Sequence, residues 1–173
     1  IFKIDILSSR ALTQICDIDK SLAFKDFTEI DIDPDVMELF STGKNIGITL
    51  SESPLIKKAM LEIKPKNITD LALMLAIIRP AAKNVEKTNS TSHTDLIYDD
   101  DAIDFISRYC KVDLAKADYY RRNIVKYNKE IIAEVNKFLS KDLQKKLDGL
   151  HGYGFCKAHA YSYAELIYKL AYL

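Results

Sequence analysis

Leu71 to Ile78 is the longest uninterrupted apolar stretch of the chain, and it lies within a segment, Ile68 to Ile78, that is apolar on nearly every side. A helix with 3.6 residues per turn and no polar face has nothing to offer water, so the rest of the chain must wrap it. The stretch is also much too short to span a bilayer, and no basic-then-apolar leader stands at the start, so a soluble protein with no membrane partner is expected. With 173 residues, 48% hydrophobic and 29% charged, there is material for one domain or two small lobes around that helix. Disordered, collagen-like and mucin-like classes are excluded.

Punctuation around the apolar segment defines its neighbours. Asn67 caps it and Arg79-Pro80 stops it, while Ser53-Pro54 opens a preceding helix that Pro65 closes. Asp33 or Asp35 caps a short helix through Phe40, with Gly43 ending it, and a first helix runs through Arg10 to Cys16. Ile1 to Leu7 alternates apolar residues with Lys3 and Asp5 and predicts a strand; Phe27 to Ile32 and Ile46 to Leu50 are further strand candidates. Residues 81–95, rich in Ala, Asn, Thr, Ser and Lys, predict an exposed flexible connector. Beyond it, Asp99 to Tyr109, Asp113 to about Asn128, Lys129 to Leu147 and Ala160 onward have helical periodicity. Gly149, Gly152 and Gly154 separate the last two. The expected class is α+β, predominantly α-helical: a small strand-containing piece over 1–50, then an all-helical lobe over 51–173. Ile1 is not a start methionine and Leu173 falls inside a helical pattern, so a part of a longer protein is expected.

Twenty-five basic residues balance twenty-five acidic ones, which argues against a free-standing nucleic-acid binder. The balance hides a division. Residues 1–104 carry twelve basic and eighteen acidic side chains, whereas residues 105–173 carry thirteen and seven, so the final third is the part suited to an anion. Cys16, Cys110 and Cys156 are odd in number, far apart and without CxxC spacing, which argues against a disulfide framework and a structural zinc site and points to a reducing, cytoplasmic setting.

Three groups of residues have the right types for chemistry. Asp5, with Lys3 on the same strand face, suits a divalent metal ligand beside a phosphate contact; the plainer reading is an exposed charge pair. Arg121, Arg122 and Lys126 cluster on one stretch of helix, and arginines match phosphate oxygens bidentately, although Asp118 can instead pair with Arg122 at i,i+4. Gly152-Tyr-Gly-Phe-Cys-Lys157-Ala-His159 sets a glycine turn ahead of a helix start bearing an ammonium and an imidazole, a cradle for a triphosphate or else a simple joint between packed helices. If the cradle exists, Arg121 or Arg122, Lys157 and His159 share one cleft. His151 and His159 lack metal-ligand spacing, and the acidic runs Asp31-Ile-Asp33 and Asp99-Asp100-Asp101 are accounted for by helix caps and first-turn acids.

Taken in order, these segments resemble the bacterial DNA polymerase III alpha subunit, the C family of DNA polymerases, over nearly the whole chain. Lys3-Ile-Asp5-Ile-Leu7 with Arg10-Ala-Leu12-Thr13 resembles K-x-D-x-L-G-L-R-x-L-T, with Ser8-Ser9 for Gly-Leu. Gly47 to Ser53 is similar to G-V-F-Q-x-E-S, with Leu50 for glutamine, and Ile63-Lys-Pro65 to Arg79-Pro80 resembles L-x-P…D-L…R-P-G-P, with Ala81 for glycine. Tyr98-Asp-Asp-Asp is an acidified Y-Q-E-Q, Ala117-Asp118-Tyr-Tyr-Arg121-Arg122 resembles A-D-x-L-R-R, and Gly152 to Tyr163 resembles G-Y-G-F-N-K-S-H-x-x-x-Y. The segment between R-P-G-P and Y-Q-E-Q is short here, which marks a divergent member.

The resemblance implies the end of a palm over 1–50, helical fingers over 51–173, and transfer of deoxynucleotides to a primer 3′-hydroxyl. Asp5 would be one carboxylate of a two-metal Mg²⁺ site, with Lys3 near the triphosphate or primer terminus. Arg79, Arg121, Arg122, Lys126, Lys157 and His159 would face the phosphates of the incoming nucleotide, and Tyr153 and Phe155 would shape its pocket. Implied partners are DNA primer–template, a deoxynucleoside triphosphate, the remainder of the polymerase chain and, through regions outside these residues, a sliding clamp. The paired palm aspartates, P-D-I-D-x-D, do not occur here, and Asp31-Ile-Asp33 lies on the wrong side of Asp5, so this chain alone is not expected to polymerise DNA. The alternative is a non-catalytic helical binding or scaffolding module descended from the same fold.

Overall fold

The computed structural model describes residues 8–25, 32–78, 96–148 and 154–173. They form helices α1 (Arg10–Ile18), α2 (Lys20–Phe24), α3 (Pro34–Ser41), α4 (Pro54–Ile63), α5 (Ile68–Ile77), α6 (Asp99–Cys110), α7 (Leu114–Val125), α8 (Lys129–Asn136), α9 (Lys141–Asp148) and α10 (Lys157–Tyr172). Among the described residues no strand forms, and extended pairing is one parallel bridge between Tyr98 and Phe155. The fold is predominantly helical, as the periodicity requires. The strand expected at Ile1 to Leu7 lies outside the described residues, as does most of Phe27 to Ile32.

The apolar segment is the centre of the molecule. Ile68 and every residue from Leu71 to Ile77 are buried in α5. Its start is set by Asn67, whose Oδ1 accepts from the Asp70 N–H at 2.8 Å, and Asp70 in turn accepts from the Lys66 N–H at 2.9 Å. The partner of α5 is α10, which buries Ala160, Ala164, Ile167 and Tyr168 completely. Two alanines one turn apart leave space for the helices to approach closely. Ile15, Leu22, Phe40, Ile48 and Met60 complete this core from α1, α2, α3, the loop after α3, and α4.

A second core lies among α6, α7, α8 and α9, built from Ala102, Ile106, Ala117, Tyr120, Ile124 and Val135. After α6 the chain passes through Lys111 at φ 54°, with the Ser107 hydroxyl donating to the Val112 carbonyl at 2.7 Å, and doubles back as α7. Where the two cores meet, Tyr98 and Phe155 pair, and both belong to the first core.

Two expectations are corrected. Ile46 to Leu50 is not a strand but a pair of turns. The buried Asn45 amide donates to the Ser51 carbonyl, the Ser51 hydroxyl donates to the Ile48 carbonyl at 2.8 Å, and Leu50 lies at φ 73°, so local bonds consume the groups a ladder would use. Lys129 to Leu147 is not one helix. The chain breaks between Asn136 and Lys141, where the Gln144 amide donates at 3.0 Å to both the Asn136 and Leu139 carbonyls. The bend lets Val135, Leu139 and Leu147 reach one core.

Candidate functional site

The N-terminus of α6 gathers residues from three parts of the chain. Tyr98 precedes the helix, and its N–H donates to Asp101 Oδ2 at 3.0 Å, closing the cap from within. The Asp99 N–H donates to the Phe155 carbonyl at 3.2 Å. Asp100 reaches outward: its Oδ2 accepts from the backbone N–H of Lys157 at 2.7 Å, so an acid of one helix caps the start of another. Asp99 reaches the other way and meets Arg121 Nη1 at 3.0 Å.

Arg121 is held from both sides. Asp118 accepts from its Nε at 3.1 Å and its Nη2 at 2.9 Å, and the guanidinium side chain is only 16% exposed. Arg122, four residues on from Asp118, pairs with the other carboxylate oxygen at 2.7 Å but is 67% exposed. Lys126 is exposed at the end of α7. The two carboxylates respond differently. Burial works to raise the Asp118 pKa, but hydrogen bonds from Arg121 and Arg122 outweigh it and hold the group below the usual carboxylate range. Burial raises that of Asp99 in spite of Arg121, with Asp100 and Asp118 adding repulsion.

Lys157 begins α10, and its ammonium lies 5.8 Å from the centre of the Tyr98 ring. The Tyr98 ring is buried, burial pushes its phenol well above the ordinary value, and among the described residues its hydroxyl has no hydrogen-bond partner. His159 is exposed and belongs to a stack of rings one turn apart: Phe155 to Tyr163 at 6.0 Å, Phe155 to His159 at 6.3 Å and His159 to Tyr163 at 6.4 Å. The stack walls a cavity of about 320 Å³ together with Leu50, Ile56 and Leu75. Neither arginine nor Lys157 lines that cavity.

The structure thus brings Arg121 and the first turn of α10 to adjacent residues of α6, puts Phe155 and His159 on an apolar cavity, and leaves Arg122 and Lys126 exposed on α7. Asp5, Lys3, Arg79 and Tyr153 lie outside the described residues. Among the described residues no group of three or more metal-ligating side chains forms, and none of the described helices is long and apolar enough to cross a membrane. Sequence reasoning missed Asp99 and Asp100 as partners of the basic elements. The available signal was an acidic triplet in the negative part of the chain, facing a positive final third.

Comparison with known proteins gives this arrangement its context. The family model described as bacterial DNA polymerase III alpha subunit finger domain matches residues 10–96, across the boundary expected at residue 50. The DNA polymerase III subunit alpha of Ureaplasma parvum serovar 3 is 26% identical over 213 aligned positions, covering 100% of this chain and 22% of the relative. That of Thermotoga maritima is 27% identical over 200 positions, covering 100% of this chain and 23% of the relative. An error-prone DNA polymerase of Symbiobacterium thermophilum is 24% identical over 209 positions, with 99% and 19% covered. The chain spans about a fifth of the length of these relatives. It belongs to the family of the bacterial DNA polymerase III alpha subunit finger domain.

Proposed function

We propose that the chain is the fingers, with the end of the palm over 1–50, of a DNA polymerase of the polymerase III alpha type, and that its final third binds the triphosphate of an incoming deoxynucleotide. The observation that carries this reading is the meeting of Arg121 and the first turn of α10 at neighbouring residues, Asp99 and Asp100, although they are distant in sequence. An arginine fork and a helix N-terminus are the two devices that best match phosphate oxygens, and charge building up on a transferring phosphate is offset by such groups. Arg122, exposed although paired with Asp118, and Lys126 and Lys157 are cations of this region that reach solvent.

In this reading Phe155 and His159 bound the nucleotide from the cavity side, and Arg79, Lys126 and Tyr153 are assigned to the same nucleotide by the family resemblance. Asp5 supplies one hard oxygen ligand to Mg²⁺, with Lys3 beside it; the companion carboxylates come from sequence outside these residues. Mg²⁺ supplies charge neutralisation and alignment when bound. The working partners are primer–template DNA, the rest of the polymerase and a sliding clamp, in the cytoplasm.

Primer extension by the full-length protein tests the reading. Arg122→Ala and Lys157→Ala are expected to raise the KM for the deoxynucleoside triphosphate and lower kcat/KM by about tenfold to a hundredfold, the range for losing one charge-assisted phosphate contact. No extension by the parent protein, with both variants folded, overturns the enzyme reading. It favours a non-catalytic module, for which Arg121, with carboxylates on every guanidinium nitrogen, already provides one argument.

A further inference from the structure

The guanidinium assigned to the phosphates already has a carboxylate oxygen on each of its nitrogens: Nε and Nη2 on Asp118, Nη1 on Asp99. The Asp118 contacts lie within α7, at i,i+3, and the same carboxylate also holds Arg122. The Asp99 contact comes from a different helix, and the resembling pattern carries a neutral glutamine there. We propose that Asp99 is a positioning residue that withholds Arg121 from anionic ligands, so that a polyphosphate reaches the Nη1 edge only by displacing the Asp99 carboxylate. This inference rests on the triphosphate reading above.

The geometry names Asp99 as the carboxylate that gives way. Asp118 accepts from two arginines of its own helix, at i,i+3 and i,i+4, so releasing it would break two ion pairs at once. Asp99 accepts from one, in a half-buried position next to Asp100, where burial and its neighbours already disfavour its charge. A phosphate arriving at Nη1 with Asp99 in place would put a third anion around one guanidinium, a juxtaposition that opposes binding strongly when partly desolvated. Asp100 meanwhile occupies the Lys157 N–H, so the edge released by Asp99 is that of Arg121 alone.

The test is binding of inorganic tripolyphosphate, without metal, to the full-length protein at fixed ionic strength, followed by calorimetry. Asp99→Asn is expected to raise affinity about tenfold and Asp99→Glu to leave it at the parent value. Because asparagine can still accept from Arg121, Asp99→Ser is the second probe, with the same gain expected. Arg121→Ala added to either variant is expected to remove the gain. Unchanged affinity in both neutral variants, or a gain that survives Arg121→Ala, overturns the proposal while the triphosphate reading stands if the parent binds. Absence of tripolyphosphate binding in parent and variants alike overturns both.

Discussion

The backbone N–H of Asp33 donates to the hydroxyl of Tyr168 at 2.7 Å, joining the cap of α3 to the buried middle of α10 across 135 positions of sequence. Asp33 also caps α3 with its own side chain, accepting from the Asp35 N–H at 2.8 Å. One residue therefore fixes both where α3 starts and where it sits on α10.

Tyr168→Phe isolates that junction. The ring remains in the core, but the Asp33 N–H loses its acceptor in a part-buried position. A loss of about 1–2 kcal/mol is expected, read from urea denaturation as a lower midpoint with an unchanged slope. An unchanged midpoint would show that water replaces the hydroxyl without loss.

The contact of α5 with α10 is tested through its small residues. Ala164 is fully buried on the helix that packs against α5, so Ala164→Leu must separate the two helices or force neighbours off their rotamers. The expected loss is about 1–3 kcal/mol, with Ala164→Gly losing about 1 kcal/mol. A leucine variant as stable as the parent would mean that the helices are not in close contact there.

What could be read from the sequence was what depends on near neighbours. Asn67 and Ser53 start the helices expected of them, and of the two candidates Asp33 and Asp35 it is Asp33 that caps α3, because a cap needs only its own side chain and the N–H groups two or three residues on. The burial of α5 follows from composition alone. The turns at Ile46 to Leu50 were not legible, because an apolar, β-branched pentapeptide reads as a strand until the buried Asn45 amide claims the Ser51 carbonyl. The break before α9 was hidden for a similar reason: Lys141–Asp148 continues a helical period in sequence, while the Gln144 amide takes up the Asn136 and Leu139 carbonyls at the break. The candidate site was half legible. The basic residues could be named, but the pairing of Arg121 with Asp99 depends on α6 and α7 doubling back on each other, which local periodicity does not encode.

Asp118 makes a pH prediction. Its folded pKa is below its ordinary value, so its ionised form stabilises the fold at neutral pH, and that contribution is lost as pH falls through the folded value. Asp99 has the opposite sign: its raised pKa means that ionisation opposes folding, with the favourable contribution lost as pH rises through the folded value. Asp118→Asn is therefore expected to destabilise at neutral pH by about 1–2 kcal/mol, the gap to the parent closing on acidification below about pH 4. Asp99→Asn is expected to be less destabilising at neutral pH. Urea midpoints across the range check both, and a larger neutral-pH loss for Asp99→Asn would reverse the assignment.

In the second core the Tyr120 hydroxyl donates to the Glu134 carboxylate, linking α7 to α8 across the turn at Tyr127, where φ is 57°. The accepting carboxylate, joined by burial, pushes the phenol up to about 12, so the neutral donor is retained throughout the physiological range. Its stabilisation is fully present below the ordinary tyrosine pKa of about 10 and is lost as pH rises through the folded value. Tyr120→Phe and Glu134→Ala remove the two partners separately, and the double variant measures their coupling. A coupling of about 1–2 kcal/mol is expected, because the bond has an ionised acceptor and a buried ring. The two single losses should sum to more than the loss of the double variant, since each single variant already breaks the shared bond. Strictly additive losses would mean that the hydroxyl and the carboxylate are solvated independently of each other.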